Sequence, residues 1–383
     1  MSAAFDAVSL EQLRRRRSRK WQEFPADVLP AFIAEMDFDL APAVKSALAE
    51  AVALGDAGYS GGSTDLAESL AAFMLARYGW ELDPSDVVRV SDVMVGITEL
   101  LRVAARPGDG VVVNPPVYPP FFSHVVEAGC RLVEAPLAVS RGRYELDLEA
   151  LRSAFAAGSR IYLLCNPHNP MGRVFSRADL LQVVELAERY GVLVLSDEIH
   201  APLTLPGARH TPFLSLGESA RARGIALVSA SKGWNIPGLK CAQIVVASDP
   251  MRTVIRRLPE HVWLGAGNLG VVASVAAYRD GGGWLDELLA VLDRNRNLMS
   301  TLLAERLPGV VYRPPEAGYL GWLDCRGLGL PQEPVDRFLE RGRVALTAGL
   351  RFGRQGSGHV RVTMATSREI LDEIVERMHA AIA

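Results

Sequence analysis

Apolar and polar positions follow two periods along this chain. From residue 42 onward, stretches with helical spacing are interleaved with short apolar runs rich in β-branched residues. Residues 42–54 predict a helix, with proline at its start and Gly55 at its end. Residues 64–78 predict a second, closed by Gly79. Seven runs then predict strands, at 87–90, 111–113, 131–134, 161–164, 192–195, 225–228 and 243–247. Helical stretches such as 97–104, 123–128 and 177–190 separate most of them. Strands that alternate with helices predict an α/β fold, a three-layer αβα large domain around a mostly parallel sheet. The tract Gly281-Gly282-Gly283 marks a boundary. Beyond it a long helix (284–306), strand-like pieces at 310–312, 319–324, 344–347 and 359–364, and a last helix (368–382) predict a smaller α+β domain. The expected division is a large domain of 42–280 and a small domain made of 1–41 together with 281–383.

Composition narrows the function. The chain has 383 residues, of which 49% are hydrophobic, and a formal net charge of −3. That balance offers no general field for nucleic acid or a membrane. No apolar run approaches spanning length, and the N-terminus lacks the hydrophobic region of a leader. Cys130, Cys165, Cys241 and Cys325 are scattered without a C-x-x-C pair. They predict reduced core thiols in a cytoplasmic protein, with no disulfide frame and no metal site. The one charge block, Arg14 to Lys20, is bracketed by Glu11, Glu23 and Asp27 and followed by Trp21 and Phe24. It predicts a solvated, docking N-terminal segment rather than a nucleic-acid arm.

Candidate chemistry lies where the apolar runs end. The run 225–228 leads into Ser229-Ala230-Ser231-Lys232 and then a glycine-containing loop to Lys240. The carboxyl end of a buried parallel strand is where open α/β sheets gather their ligands. Desolvation and nearby cations lower a lysine's pKa and make it nucleophilic, so lysine forms Schiff bases. The plainer alternative is a lysine that ends a strand in solvent. The run 192–195 leads into Ser196-Asp197-Glu198-Ile199-His200, in which Asp197 could cap a helix or hold a proton on a cofactor nitrogen. The run 161–164 leads into Asn166-Pro167-His168-Asn169-Pro170-Met171-Gly172, a rigid turn expected to aim its amides outward. The run 111–113 leads into a proline-stiffened loop that presents Tyr118. An aromatic face, an amide, a carboxylate and a lysine at one sheet edge suit a planar aromatic aldehyde, and pyridoxal 5′-phosphate is such a molecule. Gly265 to Gly270 also fits the dinucleotide pattern G-x-G-x-x-G, but residues 259–264 before it make a poor buried strand.

These stretches carry a resemblance. SDEIH, NPHNPMG, PVYPPF and SASKGWNIPGLK together resemble the fold-type-I pyridoxal-phosphate enzymes. They are most similar to the cystathionine β-lyase-like C–S lyases of the MalY/PatB type. RRRRSRKW with AEMDF near the start, and YLGWLDCR and GSGHVRVTMA near the end, extend the likeness over nearly the whole chain. The resemblance implies a seven-stranded large domain with a C-terminal small domain. It implies that Lys232 binds the cofactor covalently and then moves the proton at the substrate α-carbon. Asp197 would keep the ring nitrogen protonated, Asn169 would bond the ring oxygen, His200 would lie near that edge, and Tyr118 would stack on the ring. Catalysis would rest on Lys232, Asp197 and Tyr118. Ser229, Ser231, Lys240 and the backbone amides of Val93 and Met94 would hold the phosphate, and Arg361 would clamp the substrate carboxylate. Tyr59 would reach the neighbouring subunit's phosphate site, which makes the active unit a homodimer. The implied reaction is cleavage of cystathionine or another L-cysteine S-conjugate to a thiol, pyruvate and ammonia. The alternative is an aminotransferase of an L-amino acid, which would use the same residues. Several positions depart from the family pattern: Glu35 in AEMDF, Met171 in NPMG, Trp234 and Pro237 after the lysine, and Asp92 at the turn nearest the phosphate.

Overall fold

In a computed structural model, which describes residues 5–140 and 142–382, the seven apolar runs form one sheet. The outer ends of the expected domain ranges, 1–4 and 383, lie outside the described residues. The strands are β1 (Val87–Val90), β2 (Gly110–Val113), β3 (Arg131–Glu134), β4 (Ile161–Cys165), β5 (Leu193–Asp197), β6 (Gly224–Val228) and β7 (Ala242–Val245). Their order is β1-β7-β6-β5-β4-β2-β3, and only β7 runs antiparallel to its neighbours. The architecture is therefore α/β with a mostly parallel central sheet.

Side chains alternate across this sheet with the period of two that strands impose. Val112, Tyr162, Leu164, Val194 and Ala226 enter one core, while Val111, Val113, Ile161, Leu163, Leu195 and Ile225 enter the other. Both faces are covered by helices, which is why the runs read as continuously apolar. The first core is covered by α1 (Pro42–Ala53), α2 (Asp65–Tyr78), α5 (Leu148–Ala156), α6 (Arg177–Tyr190) and α7 (Asn268–Asp280). The second is covered by α3 (Val93–Ala104) and α4 (Pro120–Glu127). Local chemistry fixes the helix ends. Ser176 and Asp179 form a reciprocal capping box that starts α6, and Gly191 closes it in the left-handed region at φ 68°.

A second sheet of four strands follows the long helix α8 (Gly282–Arg306). It contains β8 (Val311–Tyr312), β9 (Leu320–Asp324), β10 (Thr347–Ala348) and β11 (His359–Thr363), with the last helix α9 (Arg368–Ala380) packed on it. Residues of the N-terminal segment, including Leu13, Trp21 and Leu29, share this third core. Gly281 stands between α7 and α8, where an added Cβ would come 2.4 Å from the indole nitrogen of Trp234. That nitrogen donates to the Gly281 carbonyl at 3.0 Å.

Two expectations need correction, and one element is additional. The run 344–347 is not one strand: Val344–Ala345 pairs with Leu29–Pro30, and Thr347–Ala348 joins the four-stranded sheet. The hairpin Ala138–Ser140 with Arg143–Glu145 went unread, because three-residue strands are too short to display a period. The basic run is not wholly solvated. Lys20 is fully buried, and its Nζ pairs with Asp37 at 2.8 Å and donates to the Glu35 carbonyl at 3.2 Å. The Gly265–Gly270 tract runs from the end of the short helix Glu260–Leu264 into the first turn of α7, so no strand precedes it as a dinucleotide turn requires. Among the described residues, no helix is long and apolar enough to cross a membrane.

Candidate active site

Parallel pairing of β4, β5 and β6 places their carboxyl ends side by side, with Cys165 opposite Asp197 and Asp197 opposite Leu227. A cavity of about 520 Å³ opens at this edge. Lys232, Asp197, Asn169, His200, Tyr118, Val93, Met94, Ser229, Ser231, Lys240 and Arg361 all line it. Tyr59 does not: it is 96% exposed and bridges to Gly267 outside the cavity.

Lys232 stands in the short helix Ala230–Gly233 that directly follows β6. Its Nζ donates to the Ala34 carbonyl at 2.8 Å. Desolvation and then the Arg361 charge lower its pKa from 10.5 to about 8, against the opposing pull of Glu35 and Asp197. Asp197 ends β5 with its side chain 4% exposed and accepts the Ile199 N–H at 3.1 Å. Burial, then Glu198, pushes its carboxyl up to about 7, although that hydrogen bond and Lys232 resist. A buried carboxyl drawn so high is one that lacks a cationic partner. His200 is pushed down to about 3, first by burial and then by the charges of Lys232 and Arg361, so its ring is neutral.

Arg361 comes from β11 of the other sheet and is 6% exposed. Its Nη1 donates to Asn169 Oδ1 at 3.1 Å, and its Nη2 donates to the Phe32 carbonyl at 3.0 Å. The guanidinium lies 5.0 Å from the Phe352 ring centroid. Its buried Nε has no partner, which leaves one donor of a bidentate fork open. Desolvation lowers this arginine to about 10, still cationic at neutral pH. Tyr118 rests edge-on against Phe121 at 5.9 Å, and burial raises its hydroxyl.

The end of the cavity near α3 is built for an anion. Val93 and Met94 open that helix, where amides lack intrahelical partners. Gly96 seats it closely, since a Cβ there would lie 3.0 Å from Leu227. Ser229 caps the short helix by accepting the Ser231 N–H at 3.0 Å, and its hydroxyl donates to the Cys241 carbonyl at 2.7 Å. Ser231 lines the cavity. Asp92 already serves part of this end: Oδ1 accepts the Val95 N–H at 2.8 Å, and Oδ2 pairs with Lys240 at 3.0 Å.

Three contributors were not legible as site residues. The Ala34 carbonyl accepts from Lys232 and also from Tyr319 Oη at 3.0 Å. Asn235, at φ 56°, bonds both the N–H and the carbonyl of Met36, at 2.9 and 3.0 Å. One amide also departs from expectation: Asn166 faces inward, buried, and accepts the Phe175 N–H at 3.0 Å.

This donor set fits pyridoxal 5′-phosphate. A buried carboxyl wants a cation, a depressed lysine stands beside it, and an aromatic ring forms a wall. A helix N-terminus with a hydroxyl and a lysine forms the anion end. Among the described residues no group of three or more His, Cys, Asp or Glu could hold a metal.

Comparison with known proteins agrees. The family model for aminotransferase class I and II matches residues 33–378. A Mycobacterium leprae protein that bears a provisional cystathionine β-lyase name is 47% identical, over 100% of this chain and 98% of its own. The cystathionine β-lyase PatB of Bacillus subtilis is 36% identical, over 93% of each chain. The solved structure of a pyridoxal-phosphate-bound C–S lyase from Staphylococcus hominis superposes with a TM-score of 0.92 at 26% identity, covering 99% of this chain and 98% of that one. The chain belongs to the class I and II aminotransferase family, in the branch that holds the cystathionine β-lyases.

Proposed function

We propose that this protein is a pyridoxal 5′-phosphate-dependent carbon–sulfur β-lyase. It cleaves cystathionine or a related L-cysteine S-conjugate to a thiol, pyruvate and ammonia. The observation that carries this reading is the convergence of Lys232, Asp197 and Arg361 on one cavity, in a chain whose relatives bear cystathionine β-lyase names.

When bound, the cofactor supplies an electron sink for the charge that develops at the substrate α-carbon. The residues do the rest. Asp197 offers its carboxylate to the ring nitrogen and keeps a proton there, and that cation in turn satisfies the buried carboxylate. Lys232 anchors the cofactor and, when the substrate amine replaces it, takes the α-proton. A lysine near 8 is a free amine in about a tenth of molecules at pH 7, far more than an ordinary lysine offers, and a positioned general base contributes roughly 10²–10⁴-fold. Arg361 holds the substrate carboxylate with its open Nε and a neighbouring N–H, and Asn169 keeps the guanidinium turned towards the cavity. Ser231, Lys240 and the amides of Val93 and Met94 hold the phosphate, with Ser229 fixing the turn that carries Ser231. Asn169 also reaches the ring oxygen, His200 flanks that edge as a neutral ring, and Tyr118 covers a face.

The active unit is a cytoplasmic homodimer in which Tyr59 of each subunit completes the other's phosphate subsite. The exposure of Tyr59, with Leu54 at 76% and Leu264 at 53%, supports an apolar contact there. Four buried free cysteines suit a reducing compartment. Residues 42–280 form the cofactor domain, and 1–41 with 281–383 form the small domain that delivers Arg361.

The test is incubation with cystathionine and no oxo acid. Pyruvate should form in step with the thiol. Stoichiometric conversion of the cofactor to its amine form, with no pyruvate, would instead establish the aminotransferase reading, which the family description favours.

A further inference from the structure

A second cavity, of about 640 Å³, shares no lining residue with the first. Its walls come from Tyr78 at the end of α2, Arg143 of the short hairpin, the start of α6, the loop 207–215, and Glu316 before β9. Four arginines line it, Arg143, Arg173, Arg177 and Arg209, against the single carboxylate of Glu316. Glu316 pairs with Arg143 and Arg173, each at 2.5 Å, and accepts the Val174 N–H at 2.9 Å. Arg177 and Arg209 are exposed and make no ion pair among the described residues. The cavity therefore holds more cationic charge than its own acid can balance.

Independent observations point to a ligand. His210 is 3% exposed, and its Nε2 meets Glu198 at 3.1 Å while its buried Nδ1 has no partner. The Tyr78 hydroxyl and the Arg143 Nε are likewise buried and unpartnered. Orphaned polar atoms are costly in a protein wall, and three belong to residues that line this one cavity.

We propose that this cavity binds a small phosphorylated metabolite. Guanidinium forks match phosphate oxygens bidentately, the Tyr78 hydroxyl adds a donor, and the aromatic wall accommodates an organic body. His210 Nδ1 meets a ligand hydroxyl. The ligand's phosphate competes with Glu316 for Arg143 and Arg173. This inference rests on the cavity itself and not on the lyase reaction.

The experiment is calorimetric titration of the purified, cofactor-loaded protein with pyrophosphate, with citrate as a carboxylate control. Because the cofactor fills its own anion end, its visible absorbance should stay constant through the titration. Pyrophosphate should bind once per chain, and R177Q/R209Q should weaken it by about tenfold or more, since two bidentate partners are removed. Glu316→Gln should act in the opposite direction and tighten binding several-fold, because it removes the internal competitor. Absence of binding at millimolar pyrophosphate, equal binding in R177Q/R209Q, weaker binding in Glu316→Gln, or tighter binding of citrate than of pyrophosphate would each overturn the proposal.

Discussion

Two side chains carry most of the chemistry that can be tested singly. Lys232 owes its lowered pKa first to burial and next to Arg361, while Glu35 and Asp197 hold it up. The neutral amine is the nucleophile, and its fraction grows as pH rises towards and through about 8. In cofactor-stripped protein, the rate of covalent capture should therefore climb roughly fivefold between pH 7 and pH 8, as the free-amine fraction does. The readout is visible absorbance that borohydride abolishes. Because Glu35 raises the lysine's pKa, Glu35→Gln should move the midpoint to lower pH; a midpoint unmoved in that variant would show that another group sets the profile. Arg361 makes a different kind of claim. Its fork is already half engaged by Asn169 and Phe32, so only a planar guanidinium can keep those bonds and still offer Nε to a carboxylate. Arg361→Lys should lower kcat/KM by about 10²-fold, mainly through KM, while the cofactor absorbance stays as in the parent. Loss of the cofactor in that variant would instead assign Arg361 to the cofactor's binding.

At the scale of elements, the stretch that governs the lysine's surroundings is the strap of residues 34–38. Asn235 bonds both sides of Met36 from within, and Arg16 donates to the carbonyls of Met36 and Phe38 from without, at 3.3 and 3.0 Å. Asp37 anchors the strap to Lys20 and to the Trp21 indole, the latter at 3.1 Å. Lys20→Ala leaves a buried carboxylate unpaired, which should cost about 3–5 kcal/mol. The urea midpoint should fall accordingly, and an unchanged midpoint would mean that water reaches Asp37. This clamp also marks where sequence reading stops. The strand ends that carry Asp197 and Lys232 were legible, because apolar runs of four or five residues announce both a strand and its end. The basic run was legible as charge but not as architecture, since nothing local reveals that Lys20 will meet Asp37. Asn235 and Tyr319 were missed for the same reason: their partners lie 199 and 285 residues away. The hairpin at 138–145 and the split of 344–347 involve strands of two or three residues, too short for any period to show.

At the scale of the whole molecule, the cavity draws on both sheets, with Arg361 from the four-stranded one and Asp197 from the seven-stranded one. Every proposed site residue but one meets there within a single chain. Tyr59 stands apart, almost wholly exposed beside Gly267, with the Asn268 side chain tying the adjoining loop through the Asp56 carbonyl at 3.2 Å. A tyrosine held so firmly in position yet touching so little of its own chain is suited to a second copy. If it completes the other subunit's phosphate subsite, a dimer of two different defective chains has one site lacking both residues and one site intact. Lys232→Ala and Tyr59→Ala should each abolish or strongly depress turnover alone. Co-expressed in equal amounts, random pairing makes half of the dimers mixed, and each mixed dimer recovers one site, so activity should return to about a quarter of the parent value. Separately purified variants mixed without subunit exchange should stay inactive. Recovery absent from a mixed dimer verified by differential tags would place Tyr59 outside the neighbouring site and leave each chain to hold its phosphate alone.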